Sequence, residues 1–130
     1  MLVCSSRSYR VRPEAVRINF HVADVFLPVD AAVPCGLIIN ELVSNALKHA
    51  FPGDARGEIN ITFAHADDRY TLTVNDTGMG LPAGTDFAQS KSLGMKLVRM
   101  LTGQLQGELA YRNTVGTTFE INFPAEQKEN

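Results

Sequence analysis

The segment Pro34–Gly53, PCGLIINELVSNALKHAFPG, decides how the rest of the chain is read. Leu37, Ile38, Leu42, Ala46, Leu47 and Ala50 recur at helical spacing, and Phe51-Pro52-Gly53 stops the run, which predicts a helix over Pro34–Ala50. At about 100° per residue, Glu41, Asn45 and Lys48 fall within about 60° of one another, with His49 at the margin and the leucines on another arc. One stripe therefore carries a carboxylate, an amide and an ammonium. Such a set can hold Mg²⁺ through the amide oxygen, orient an attacking group through the carboxylate and meet phosphate oxygens through the cation. A solvated helix face carries the same residue types for solubility, and spacing alone does not choose.

Outward from this helix the chain reads as strands. Upstream, Val16, Ile18, Phe20 and Val22 alternate with Arg17, Asn19 and His21, which predicts a strand. Val25, Leu27 and Val29 suggest a second extended piece broken at Pro28, with Asp30 as a helix N-cap. Downstream, Ile59, Ile61 and Phe63 alternate, 65–68 reads as a turn, and Tyr70, Leu72 and Val74 alternate again, which is a hairpin. A glycine-rich loop spans Asp76 to Ser92. Leu93, Leu97, Val98 and Leu101 mark a shorter helix ending near Gly103, and two strands, Glu108–Arg112 and Thr117–Phe123, flank a turn at 113–116. Strands with two main helices point to one mixed sheet covered on one face, a two-layer α/β sandwich. The expected division is a leading segment 1–15, a domain over 16–124 and a polar tail 125–130.

Composition narrows the classes. The chain has 130 residues, 45% hydrophobic and 20% charged, enough for one domain with its own core and too few for a second. Twelve Lys and Arg against fourteen Asp and Glu give a net charge of −2, which provides no footprint for nucleic acid or an anionic membrane. Cys4 and Cys35 are the two cysteines, in no CxxC pair, and the three histidines lie too far apart for a local ligand motif, so a reducing compartment without a thiol-metal site is expected. No apolar run reaches the ~20 residues of a membrane helix, and MLVCSSRSYR lacks a signal-peptide core. The expected location is the cytoplasm.

Three further features carry chemistry. Asp76 continues the parity of Tyr70, Leu72 and Val74, so the alternation that buries those side chains aims a carboxylate at the core side. It is either a cap for the backbone N–H groups of the following DTGMG or an acceptor kept for a ligand's amino group. Gly78, Gly80 and Gly94 belong to a loop whose far end, Ser92-Leu93-Gly94, opens a helix, and free N–H groups there attract phosphate; plain turns use the same glycines. Thr117 shares parity with Phe119, Ile121 and Phe123, so its hydroxyl points among those rings, with Asp76 a candidate partner. It is equally a β-former in a strand.

In their order along the chain these features resemble the catalytic ATP-binding domain of sensor histidine kinases, which shares its Bergerat fold with gyrase, Hsp90 and MutL. NELVSNALKHAFP (Asn40–Pro52) resembles the N box, DTGMGLP (Asp76–Pro82) the first glycine box, SLGMKLV (Ser92–Val98) the second, and GTTFEINFP (Gly116–Pro124) the terminal Gly-Thr strand. The wording of PCGLIINELVSNALKHAFP and LTGQLQGEL is close to the bacterial subfamily with phosphoacceptor helices of the second HisKA type. The resemblance implies that Asn45 coordinates a Mg²⁺ bridging the triphosphate, Glu41 acts near the γ-phosphate, and Lys48 and His49 contact phosphates. It implies that Asp76 accepts from the adenine amino group, Gly78 and Gly80 let the backbone approach the base, and Thr117 supports Asp76. Ser92, Leu93, Gly94 and Met95 would cradle phosphate. ATP and Mg²⁺ are thus the implied ligands, a histidine on a separate dimerisation domain the implied acceptor, and a response regulator the downstream partner. Neither His21 nor His49 sits in an acceptor motif. The stretch between Gly80 and Ser92 is short against many ATP lids, which implies weaker nucleotide retention. Two other readings are a stand-alone serine kinase of the anti-sigma-factor type and a non-catalytic nucleotide-binding module.

Overall fold

The computed structural model describes residues 2–12, 16–49, 56–78, 92–114 and 116–125, with 2–12, 23–25, 49 and 114 described by backbone alone. In chain order the elements are β1 (Leu2–Arg12), β2 (Val16–Phe26), α1 (Val29–His49), β3 (Gly57–Ala66), β4 (Arg69–Asp76), α2 (Leu93–Gln104), β5 (Glu108–Thr114) and β6 (Gly116–Pro124). They build a six-stranded sheet of order β1-β2-β3-β4-β6-β5. The β2/β3 pair is parallel and is crossed by α1, as a parallel connection requires; every other pair is antiparallel.

Side-chain parity puts one face of this sheet under the helices. Ile59 and Ile61 of β3, Leu72 and Val74 of β4, and Ile121 and Phe123 of β6 are all buried and meet Ala31, Cys35, Ile38, Leu42 and Ala46 of α1. Met95, Val98, Leu101 and Leu105 complete the layer from the α2 side. Burial of large apolar side chains at roughly 1.5–3 kcal/mol each is what holds helices and sheet together. The result is the expected two-layer α/β sandwich.

The opposite face is polar and held by side-chain amides. Asn19 Nδ2 donates to Asn60 Oδ1 (3.0 Å), Asn60 Nδ2 to Asn75 Oδ1 (3.4 Å) and Asn75 Nδ2 to Thr118 Oγ1 (2.8 Å), a chain that ties four strands at one register level. Because a one-residue slip would break every member, this chain selects the register.

Several boundaries differ from the sequence expectations. The backbone of 2–12 is an edge strand paired along β2, from Leu2↔Phe26 to Arg12↔Val16. That pairing draws Val25 into β2, so no separate extended piece forms. α1 starts at Val29, with Pro28 O accepting from Ala31 N and Ala32 N; Asp30 lies in the first turn, where a carboxylate favours the positive helix end, instead of capping it. Pro34 sits inside the helix. Leu37 (44% exposed) and Leu93 (83% exposed) point outward, their core places taken by Cys35 and Met95. In the β3–β4 hairpin Asp67 and Asp68 both have positive φ (54° and 60°), the two-residue geometry that matches strand twist.

Candidate functional site

Asp76 is the last residue of β4, opposite Ile59 on one side and Thr117 on the other. It is only 6% exposed, so a carboxylate has been carried into the apolar layer by strand parity. Its Oδ1 accepts from the backbone N–H of Gly78 (3.1 Å) and of Thr117 (3.3 Å). No donor among the described residues meets Oδ2. Burial pushes the Asp76 pKa up, and the N–H groups of Gly78 and Thr117 pull in the other direction. Among the described residues, both donors to this carboxylate therefore meet Oδ1 and none meets Oδ2.

The approach to Asp76 depends on Gly116. Its φ is +76°, and a Cβ there would lie 1.9 Å from the Asp76 carbonyl oxygen and 3.3 Å from Oδ1. Glycine alone permits both the conformation and the contact, so Gly116 allows β6 to begin with the Thr117 N–H on the carboxylate. The sequence reading gave Gly116 no role of its own; the signal was a glycine ending a turn immediately before a strand. Thr117 itself is buried, and it supports Asp76 through its backbone, with no hydrogen bond from its hydroxyl among the described residues.

On α1, Glu41 and Asn45 lie one turn apart at the seam with α2. The Nδ2 of Asn45 donates to Met95 Sδ (3.9 Å), which leaves its oxygen available to a ligand. The carboxylate of Glu41 comes so close to Gly94 that a Cβ on that glycine would lie 2.6 Å from Oε2. Lys48 is exposed further along α1. Ser92 caps α2, its Oγ accepting from Met95 N (3.3 Å). Glu41, Asn45, Gly94 and Met95 are therefore brought together, and Asp76, Gly78 and Thr117 form a second cluster on the sheet. Gly80 and the His49 side chain lie outside the described residues.

No group of three or more His, Cys, Asp or Glu that could hold a metal occurs among the described residues. A cation here would be bound through the Asn45 amide oxygen and a ligand's own oxygens, the manner usual for Mg²⁺. A separate apolar cavity of about 140 Å³ lies on the other flank of α1, lined by Phe20, Val22, Cys35 and Ile39 among others, and contains none of these residues. Burial there raises the Cys35 thiol to about 12, which makes it a packing residue and not a nucleophile. No helix among the described residues is long and apolar enough to cross a membrane.

Comparison with known proteins gives the chain its relatives. A sequence profile of the histidine kinase-, DNA gyrase B- and HSP90-like ATPases matches residues 31–127. The chain belongs to that ATPase family. Among its relatives, blue-light-activated histidine kinase 2 of Erythrobacter litoralis is 32% identical over 117 residues, covering 88% of this chain and 34% of that protein. Sensor histidine kinase PdtaS of Mycobacterium tuberculosis is 39% identical over 114 residues, covering 84% of this chain and 23% of that protein. The solved histidine kinase domain of the Erythrobacter litoralis EL346 blue-light-activated kinase superposes with a TM-score of 0.79 at 32% identity, over 86% of this chain and 52% of that one. The fold is accordingly the Bergerat fold, and this histidine kinase-like ATPase is an ATP-binding catalytic domain. It spans about a third or less of the curated relatives it matches.

Proposed function

We propose that this ATPase domain is the catalytic module of a cytoplasmic two-component sensor histidine kinase, which binds MgATP and hands the γ-phosphate to a histidine on a separate dimerisation domain. A response regulator would receive the phosphate in turn. The observation that carries this reading is the open oxygen of Asp76: a buried acceptor with no donor among the described residues is costly unless a ligand supplies one. The exocyclic amine of adenine is such a donor. Gly78 and Thr117 hold Oδ1 and so turn Oδ2 towards it.

At the α1–α2 seam the roles divide by chemistry. Asn45 would hold Mg²⁺, which when bound offsets charge on the phosphate oxygens. Lys48 and His49 would meet phosphate, and Gly80 would give the base its backbone approach. Ser92, Leu93, Gly94 and Met95 present the first turn of α2, whose dipole favours an anion. Glu41 would orient the acceptor imidazole or take its proton, a contribution of about 10²–10⁴ in rate where general-base catalysis operates. Most of the remaining acceleration in phosphoryl transfer comes from positioning and electrostatics.

The test is transfer itself. Incubated with radiolabelled MgATP and a dimerisation domain of a sensor histidine kinase, the chain is expected to label that domain with a phosphate lost in acid and stable in base. An acid-stable phosphate on a serine would favour a serine kinase. No label with intact ATP binding would favour a nucleotide-binding module.

A further inference from the structure

Gly94 has no conformational reason to be glycine. It lies in the first turn of α2, in ordinary helical backbone, where alanine is favoured by about 1 kcal/mol. A Cβ at Gly36 or Gly103 would meet nothing within 4 Å, whereas a Cβ at Gly94 would meet only Glu41, with Oε2 at 2.6 Å and Cδ at 3.7 Å. The space that glycine leaves is thus the space that this carboxylate fills. The first turn of α2 carries no acidic residue of its own, although its dipole favours one; Glu41 supplies that charge from α1. One residue on, Met95 Sδ meets the Asn45 amide, so consecutive residues of α2 register against the i and i+4 positions of α1.

We propose that Gly94 is a positioning residue whose bare α-carbon seats the Glu41 carboxylate, an assignment that rests on the kinase reading above. A carboxylate beside a triphosphate is repelled by it. Held against the positive end of α2, Glu41 keeps its place; with a methyl group in the seat, it rotates away. Since the clashing atom ends a flexible side chain, Gly94→Ala leaves the fold intact and moves Glu41.

Two measurements on the 130-residue chain test this. In amide NMR spectra of the nucleotide-free chain, Glu41→Gln is expected to shift the resonances of Leu93, Gly94 and Met95, and to shift those of residues 93–95 far less when Gly94→Ala is already present. In single-turnover assays with radiolabelled MgATP and a histidine kinase dimerisation domain added as phosphate acceptor, Gly94→Ala is expected to lower the rate at saturation by about tenfold or more, a larger factor than its effect on Kd. Adding Glu41→Asp, one methylene shorter, restores part of that rate, and in a Glu41→Gln background Gly94→Ala causes no further loss. Resonances blind to Glu41→Gln, or a Gly94→Ala loss confined to Kd and indifferent to residue 41, would overturn the proposal. A chain that binds no ATP would defeat the kinase reading instead, and the NMR comparison would still decide whether the seat exists.

Discussion

At the scale of single residues, the divided carboxylate of Asp76 makes two measurable claims. Asp76→Asn keeps an acceptor for Gly78 and Thr117 and places an NH₂ where the purine amine would donate, so ATP affinity should fall by about 1–3 kcal/mol in calorimetry. The raised pKa gives the second claim. Its folded value lies above its unfolded one, so the ionised group destabilises the fold at neutral pH. That penalty is relieved as pH falls through the folded value towards the unfolded one. The Tm of the wild-type chain relative to Asp76→Asn should therefore rise on acidification. ATP affinity should decline over the same range, because a protonated Oδ2 opposes the amine; parallel Tm profiles for the two proteins would contradict this. Strand parity made the burial of Asp76 legible in the sequence, because Tyr70, Leu72 and Val74 fix the phase. That both donors among the described residues meet the same oxygen depends on the Gly78 and Thr117 N–H groups converging on Oδ1, which no spacing rule encodes.

At the scale of elements, the glycine at the head of β6 and the amides across the outer face are the points of greatest sensitivity. Gly116→Ala puts a Cβ against the Asp76 carbonyl in a left-handed conformation, and a loss of about 2 kcal/mol or more in denaturant unfolding is expected, together with weaker ATP binding. Asn60→Ala removes the acceptor that Asn19 Nδ2 meets and the donor that meets Asn75 Oδ1, and should cost about 1–3 kcal/mol while sparing nucleotide affinity. Neither feature was visible beforehand: Asn19 and Asn60 are 41 residues apart, and only the parallel register aligns them. The strands with clean alternation, from Ile59 to Val74 and from Thr117 to Phe123, were readable because one buried face imposes a period of two. The edge strand Leu2–Arg12 was not, since LVCSSRSYRVR has no consistent apolar phase and takes its form from pairing with β2.

At the scale of the whole molecule, the four motifs were recognisable in order because each is short and local. Their assembly was less so: α1 and α2 bring Glu41 to Gly94 across 53 residues, a contact made by helix packing. On the proposed kinase reading the acceptor histidine belongs to a separate domain, and the chain spans about a third or less of the curated relatives it matches. If Asn45 holds Mg²⁺ as proposed, Asn45→Ala should bind ATP equally with and without the metal, while the wild-type chain binds more tightly with it. A wild-type titration indifferent to Mg²⁺ would remove Asn45 from that role.

Calorimetric titration of the wild-type chain and Asp76→Asn with MgATP and MgGTP tests the central claim most directly. GTP offers a carbonyl oxygen where ATP offers an amine, and two acceptors would then face each other. The account predicts clear preference for ATP in the wild-type chain and loss of that preference in Asp76→Asn. Equal affinity of the wild-type chain for both nucleotides, or a preference unchanged by the substitution, would contradict it.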